Sequence, residues 1–368
     1  MRILYYFPNY DTPMFQWQKK HIFDEMAIHG CFFDIINPFE YPDIDEANEA
    51  IIRRIQQGYY SIFMSSYSTD YLYLDTLEEI KKMGVKTLCF CPDNLTVPFN
   101  QEKIAKYYDL VWLTSKETEY LFRRWGAKTI FLPYAANPNL FKTKDITDDI
   151  GRLAFIGTPH GSRVEQINMF LQHNIPMTLY SRKVDTSNIQ FRASPKEYFK
   201  SICNYLKYPI GRKLLQGIIV DKLGRHAITL TDPNLEMKNP VSLDELGEIN
   251  SLYSLVLSFT EANSTGVLKK PVDIVNLRNF EIPMSGGIQF CRYTDEIASY
   301  FEPDKEIVLY TDRDDAIEKA KYYLSESQRE LRMSIRRAAR ARAEREHTWY
   351  HRFKRVFQEL DIAEVEDK

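Results

Sequence analysis

Residues 77–91 read LEEIKKMGVKTLCFC. Leu77, Ile80 and Met83 recur at helical spacing, Gly84 stops the helix, and 86–91 is a run of strand formers. The same order of helix, glycine and strand occurs twice more. Ile22 with Met26, and Phe23 with Ala27, share a helix face that Gly30 stops ahead of a strand at 32–36. A helix opened by Thr114 and Glu117 as a capping box is stopped by Gly126 ahead of a strand at 129–132. Further strands at 3–7, 61–64 and 110–113 fit the spaces between, and Thr12-Pro13 opens the first helix. This alternation predicts an α/β fold with a doubly wound parallel sheet.

The chain has 368 residues, enough for two cores. A polar stretch at 142–151 reads as a linker, and a second alternation follows it. Its strands are expected at 153–156, 177–180, 255–259, 287–291 and 306–310, with a helix at 315–324. The division is therefore 1–145, then 151–345, each Rossmann-like. A basic, apolar stretch from 194 to 240 reads as a helical insertion. Its amphipathic surface, 194–226, suggests contact with anionic lipid or a lipid-linked acceptor. The last segment, 346–368, is expected to be a helix crossing back to the first domain. Arginines at 329–345 alternate with glutamates and with Leu331, Ile335, Ala338 and Ala339, which reads as a solvated helix face rather than a nucleic-acid arm.

Net charge is −3, too balanced to argue for a nucleic-acid partner. Five cysteines without a C-x-x-C motif suggest a reducing compartment, and Cys89 and Cys91 share one face of a strand as buried thiols. No apolar run reaches membrane-spanning length. The expected location is the cytoplasm, with peripheral contact to the inner face of the membrane through the insertion. Aromatic residues make up 14%, a surplus that serves either ring-binding surfaces or cores.

No glycine cluster follows the first strand, so a dinucleotide fingerprint is absent there. Two D-x-D triplets occur, Asp43/Asp45 and Asp312/Asp314; the second fits a helix start better than a metal site. FIGTPHGSR at 155–163 carries more information. A strand ends, Gly157 and Gly161 allow a tight turn, and Arg163 follows at a helix start, an arrangement suited to a pyrophosphate. NLRNFEIPMSGG at 276–287 places Glu281 before Ser285, Gly286 and Gly287. A carboxylate there suits the two hydroxyls of a ribose, and Asp273 stands eight residues earlier. Arg278 either neutralises phosphate or locks Glu281 in a buried structural pair.

These blocks, with SLDELGEINSLYSLVLSF, FEPDKEIVLYTDRDDAIEKAKYYL and REHTWYHRF, resemble the group 1 glycosyltransferases of the spore-maturation CgeB type. CPDN and VWLTSKETEYLFRRWGAKTIFLPYAANPNLF are similar as well. The resemblance implies a GT-B fold, two Rossmann-like domains facing a cleft. It also implies transfer of a sugar from a nucleoside-diphosphate sugar to a glycan or lipid-linked acceptor, with retention of configuration. Glu281 matches the second acid of the family's E-x(7)-E and is expected on the ribose. Asp273 falls on the first acid, shortened from Glu. Arg163 is expected on the diphosphate, with Gly157, Thr158, His160, Arg278, Phe280, Ser285, Gly286 and Gly287 completing the donor site. Asp93 is the candidate acid/base, and His21 and Asn94 the candidate acceptor-side residues. No cofactor or metal is expected. A nucleotide-sugar epimerase and a non-catalytic nucleotide-sugar-binding protein are the rival readings.

Overall fold

The computed structural model describes residues 1–10, 12–143, 149–181, 195–224 and 231–362. The chain divides into two compact units, 1–137 with 348–368, and 138–347.

The first unit holds β1 (Arg2–Tyr6), β2 (Phe32–Ile36), β3 (Ile62–Ser65), β4 (Lys86–Cys91), β5 (Leu110–Leu113) and β6 (Thr129–Phe131) in one sheet, in the order β2-β1-β3-β4-β5-β6. Every neighbouring pair is parallel. β3 and β5 are buried along their whole length, as strands covered on both faces must be. Gly84 takes φ +81, a left-handed conformation that lets the helix Leu74–Lys82 end and the chain turn straight into β4. The Cys89 and Cys91 sulfurs are buried, 3.5 Å apart.

The first helical stretch runs over 13–28, with a π-helical turn at Lys19–Phe23, and Thr12 Oγ1 accepts from the Phe15 amide at 3.2 Å. The last helix, Trp349–Glu359, belongs to this unit. Trp349 packs against Trp17 and Trp112, and Arg352 donates to the carbonyls of Pro133 and Tyr134. The buried Glu25 carboxylate accepts from the Tyr350 amide at 2.8 Å, at the positive end of that helix.

The second unit holds β7 (Ile150–Ile156), β8 (Met177–Tyr180), β9 (Leu235–Lys238), β10 (Tyr253–Leu257), β11 (Gln289–Arg292) and β12 (Val308–Tyr310). The order is β12-β11-β10-β7-β8-β9, again all parallel. Relative to its first strand this is the 3-2-1-4-5-6 order of dinucleotide-binding sheets, whereas the first unit follows the 2-1-3-4-5 order. The core gathers Leu153, Phe155, Leu255, Leu257, Phe290 and Ile317.

Several expectations change. The boundary falls at 137/138, ahead of the expected linker, because Phe141 is fully buried and the Arg340 guanidinium takes the carbonyls of Pro138 and Phe141. The expected insertion ends early: Pro195–Leu206 and Pro209–Leu223 are helices, but β9 joins the sheet beside β8. Residues 194 and 225–230 of that insertion lie outside the described residues. Thr114 opens no helix; its hydroxyl donates to the Pro92 carbonyl at 2.7 Å and its amide to Asn94. The helix Ile44–Gln57 is capped by Asp43, and Asp312 caps Arg313–Leu324 by accepting from the amides of Asp314 and Asp315.

The arginine-rich helix Arg329–Glu346 is only partly a solvated face. Arg332 is 1% exposed, with Nε and Nη2 each 2.8 Å from the Asp149 carboxylate. Its Nη1 donates to the carbonyls of Tyr323 and Ser325, and Arg336 reaches Asp149 at 3.2 Å. Burial works to raise the Asp149 carboxyl, but the bonds from Arg332 and the charge of Arg336 outweigh it and hold it below the ordinary carboxylate range.

Candidate functional site

In the second sheet the helical connections leave in opposite directions on either side of β7 and β10. Open α/β sheets bind ligands at that switch, beyond the carboxyl ends of the strands. The residues that follow β7, β10 and β11 there are charged.

After β7 the chain turns through Gly157–Gly161 and enters the helix Ser162–Gln172. Arg163 lies in its first turn. One guanidinium nitrogen is 3.4 Å from the Thr158 carbonyl, and the group lies 5.5 Å from the centre of the Phe259 ring. Among the described residues Arg163 has no ion-pair partner. Burial lowers its pKa first; Glu261 opposes the shift and Arg278 adds to it. With Glu261 tied to Arg292 and no carboxylate in direct contact among the described residues, this half-buried guanidinium keeps its donors for an anion. His160 is held below the ordinary histidine value by burial, with Arg163 adding to the effect and Asp221 opposing it. Gly161 takes φ +58, a conformation that favours glycine, and a Cβ there would also meet the carboxylate of Asp221 from the helix Pro209–Leu223.

After β10, Phe259 and Glu261 follow the strand end at Leu257. Arg292 closes β11, its Nε 3.3 Å from Glu261 and another nitrogen paired with Asp273. Glu261 and Asp273 also form an antiparallel backbone bridge. Arg278 opens the helix Arg278–Met284 and pairs with Glu281 three residues on. The Arg278 side chain is 35% exposed and that of Glu281 is 2% exposed.

The structure thus brings Thr158, His160, Arg163, Asp273, Arg278 and Glu281 to one end of one sheet. It assigns other expected donor contacts to the protein's own packing. Phe280 is fully buried against Tyr300, Phe301 and His347. Ser285 is buried, its hydroxyl donating to the Glu281 carbonyl at 2.6 Å. Gly286, at φ +72, and Gly287 close the helix, their amides donating to Pro283 and Ile282 at 2.9 Å. A Cβ on Gly286 would meet Thr143, and one on Gly287 the Asn250 carbonyl, so their open sides face protein rather than a phosphate. A Cβ on Gly157 would meet the Phe155 ring at 3.4 Å.

In the first unit, His21 is fully buried in the π-helical turn, 5.3 Å from the Trp17 ring, and is covered from any acceptor. Asn94 is fully buried too. Its amide donates to the Ser115 carbonyl and Thr118 Oγ1, and its carbonyl accepts from the amides of Thr114 and Ser115. Both side chains are covered by the unit's own packing. Asp93, next to Asn94 in the chain, has an exposed side chain whose carboxyl is raised by partial desolvation.

Phe259, Glu261 and Arg292 were not singled out from sequence. Their signal is positional: SFTEA follows β10 directly, and Arg292 is the last residue of β11. Among the described residues no group of three or more His, Cys, Asp or Glu is arranged to hold a metal ion. Nor is any described helix long and apolar enough to cross a membrane.

Residues 212–358 match the family model described as Glycosyl transferase-like. No curated protein sequence matches the chain. Among solved structures, a glycosyltransferase from Rickettsia africae superposes with a TM-score of 0.59 at 10% identity, over 98% of this chain and 97% of that one. Sucrose-phosphate synthase from Thermosynechococcus elongatus gives 0.57 at 12% identity, over 98% and 99%. Anabaena HepE in complex with UDP-glucose gives 0.55 at 10% identity, over 98% and 99%. With its two parallel six-stranded sheets and surrounding helices, the chain has the fold of GT-B glycosyltransferases.

Proposed function

We propose that the protein is a glycosyltransferase that takes a sugar from a nucleoside-diphosphate donor held by the second unit. The observation that carries this reading is Arg163: a half-buried guanidinium with no ion pair among the described residues, at the carboxyl ends of β7 and β10, within the unit that supplies most of the Glycosyl transferase-like match. A diphosphate is an anion whose charge and oxygens such a guanidinium recognises. The UDP-glucose bound to HepE, a relative in fold, favours a uridine nucleotide as the first probe.

In the mechanism that follows from this reading, charge builds on the leaving diphosphate as the sugar's anomeric bond breaks. Arg163 meets that charge, with Arg278 beside it and no metal required. Glu281 takes the ribose hydroxyls when Arg278 turns from it to the phosphate. Asp273 and Glu261, both tied to Arg292, orient the donor sugar. Asp93, with its raised carboxyl, is the acid/base candidate of the first unit. Retention of configuration, hexosyl transfer and the CgeB-like subtype accompany the sequence resemblance. An acceptor anchored in lipid would bring the two insertion helices to a membrane surface. Phe199, Leu206, Ile219 and Leu223 are exposed there among lysines and Arg212. Co-sedimentation with anionic vesicles tests that part.

Calorimetric titration with UDP and with uridine is the direct test of the whole. Binding of UDP well ahead of uridine, followed by sugar release from UDP-sugars unaffected by EDTA, is the expected result. Failure of every nucleoside diphosphate to bind overturns the reading.

A further inference from the structure

The carboxyl ends of the first sheet carry a different chemistry. Tyr6 ends β1, and Tyr10 follows it. Asn37 follows β2 and caps a short 3-10 turn, Pro38–Glu40, that sets Phe39 in place through a 3.1 Å bond to its amide. Tyr67 and Tyr71 follow β3.

With the buried Tyr6 beneath them, these rings form one aromatic cluster. Tyr10 and Phe39 are stacked, with centroids 6.1 Å apart at 25°. Phe39 meets Tyr71 edge-on at 5.6 Å and Tyr67 at 6.5 Å. Tyr67 lies 5.0 Å from Tyr71 and 5.4 Å from Tyr6.

Three observations separate this cluster from a core. Tyr10 and Phe39 are each 47% exposed, although Tyr10 follows β1 and Phe39 packs against residues that follow β3, the two strands of the switch where open sheets bind ligands. The Tyr67 hydroxyl is buried and has no hydrogen-bond partner among the described residues, which costs about 1–3 kcal/mol unless a ligand supplies one. The loops are also braced from below. The Tyr6 hydroxyl donates to the Tyr71 carbonyl at 3.1 Å, Asn48 donates to the same carbonyl at 3.0 Å, and Asn37 links Asn9 and Glu40 at 2.9 and 3.3 Å. Rigid aromatic faces rimmed by amide, carboxylate and hydroxyl groups suit a ligand with an apolar face and polar edges. A sugar ring has that form: C–H groups on its face and hydroxyls around it. An alkyl chain would leave the Tyr67 hydroxyl and the polar rim unserved.

We infer that Tyr10, Phe39, Tyr67 and Tyr71 form a saccharide-binding platform on the first unit. Its role as the acceptor site rests on the glycosyltransferase reading; its binding of saccharide does not.

The test is affinity of the full chain for free maltohexaose, cellohexaose and chitohexaose, measured by calorimetry beside a UDP titration. At least one oligosaccharide is expected to bind. Phe39→Ala and Tyr10→Ala are expected to weaken it about tenfold, as loss of one stacked ring would. Tyr67→Phe removes a single atom and keeps the fold. It is expected to weaken binding several-fold while UDP affinity stays unchanged. The inference is overturned if no oligosaccharide binds, or if all three variants bind as the wild type does. It is likewise overturned if affinity for alkyl maltosides rises with chain length while free sugar does not bind. Loss of UDP binding in the wild type, with oligosaccharide binding intact, would instead defeat the glycosyltransferase reading alone.

Discussion

Beyond β1 and β3 the first sheet ends in Tyr6, Tyr10 and Tyr67; beyond β7, β10 and β11 the second ends in Arg163, Glu261 and Arg292. Both sheets are six-stranded and wholly parallel, and each reverses its winding beside its first strand. The backbone therefore offers the same kind of crevice twice. What differs is only which side chains follow the strands, and these divide recognition into an aromatic, hydroxyl-rimmed end and a charged end. The comparison teaches that the fold sets where a ligand is received, while a handful of residues past each strand set its chemistry.

The units also differ in how they hold a buried carboxylate. Asp149 in the second unit faces two arginines and is lowered; Glu25 in the first is raised by burial, which the helix end and Arg352 only partly offset. The largest expected effect breaks the first arrangement. Asp149→Ala leaves Arg332 and Arg336 buried without their carboxylate and is expected to destabilise the second unit by about 3–5 kcal/mol. All four tryptophans lie in the first unit, so denaturant unfolding followed by hydrogen exchange of the second unit's amides measures it. A depressed carboxyl contributes stability that is full above its unfolded value and is lost as pH falls through the folded one. Acid unfolding of the wild type is therefore expected to steepen below about pH 4, and Asp149→Asn to lose that component. A variant as stable as the wild type would show that the buried triad is idle.

The second prediction concerns the charged end. Arg163→Ala is expected to weaken UDP by about 1.5–3 kcal/mol, or roughly tenfold to a hundredfold, and uridine hardly at all. Equal losses for both ligands would mark Arg163 as structural and erase the contrast between the two sheet ends.

How much of this was legible beforehand follows from range. Gly30, Gly84 and Gly126 announce their helix ends locally, so the first sheet could be read strand by strand. Asp312 announced its helix in the same way. β9 could not be read, because LEMK is four residues with a half-exposed pattern and becomes a strand only by pairing with β8. The turn at FIGTPHGSR and the helix bearing Glu281 were visible as motifs, since glycine, arginine and acid stand close in sequence. Glu261 and Arg292 were not, because their pairing joins residues 31 apart through two adjacent strands. His21 and Asn94 look like surface chemistry in a sequence; only tertiary packing buries them. The arginines of 329–346 were misjudged for the same reason, since the partner of Arg332 lies 183 residues away.

The third prediction sharpens the contrast between the carboxylates. Burial, opposed by bonds from the Tyr350 amide and others at that helix end, raises Glu25 from 4.5 to about 7. A raised carboxyl penalises the folded state as pH climbs from the unfolded value through the folded one. The first unit is therefore expected to gain stability on acidification from about pH 7.5 to 5, on the order of 2 kcal/mol. Glu25→Gln, which keeps an acceptor for the Tyr350 amide, is expected to remove that gain. Parallel pH profiles for the two proteins would refute the assignment.

The smallest expected effect probes whether the charged end rearranges around its ligand. Glu281 is nearly covered and paired with Arg278, whose own side chain is more open. If Arg278 swings to phosphate, Glu281 is released to the ribose hydroxyls. Glu281→Gln preserves shape and one carbonyl acceptor but discards the charge. Two losses then need separating: the weakened hold on Arg278, which any nucleotide feels, and the weakened hold on ribose, which a 2′-deoxynucleotide feels less. The cycle of wild type and variant against UDP and 2′-deoxy-UDP isolates the second. A coupling of about 1–1.5 kcal/mol, roughly fivefold to tenfold in affinity, is expected. Equal weakening of both nucleotides would leave Glu281 as the anchor of Arg278 and nothing more. A variant whose unfolding midpoint also falls sharply would place its value in the buried pair, since an arginine left without its carboxylate is costly whether or not a nucleotide ever binds.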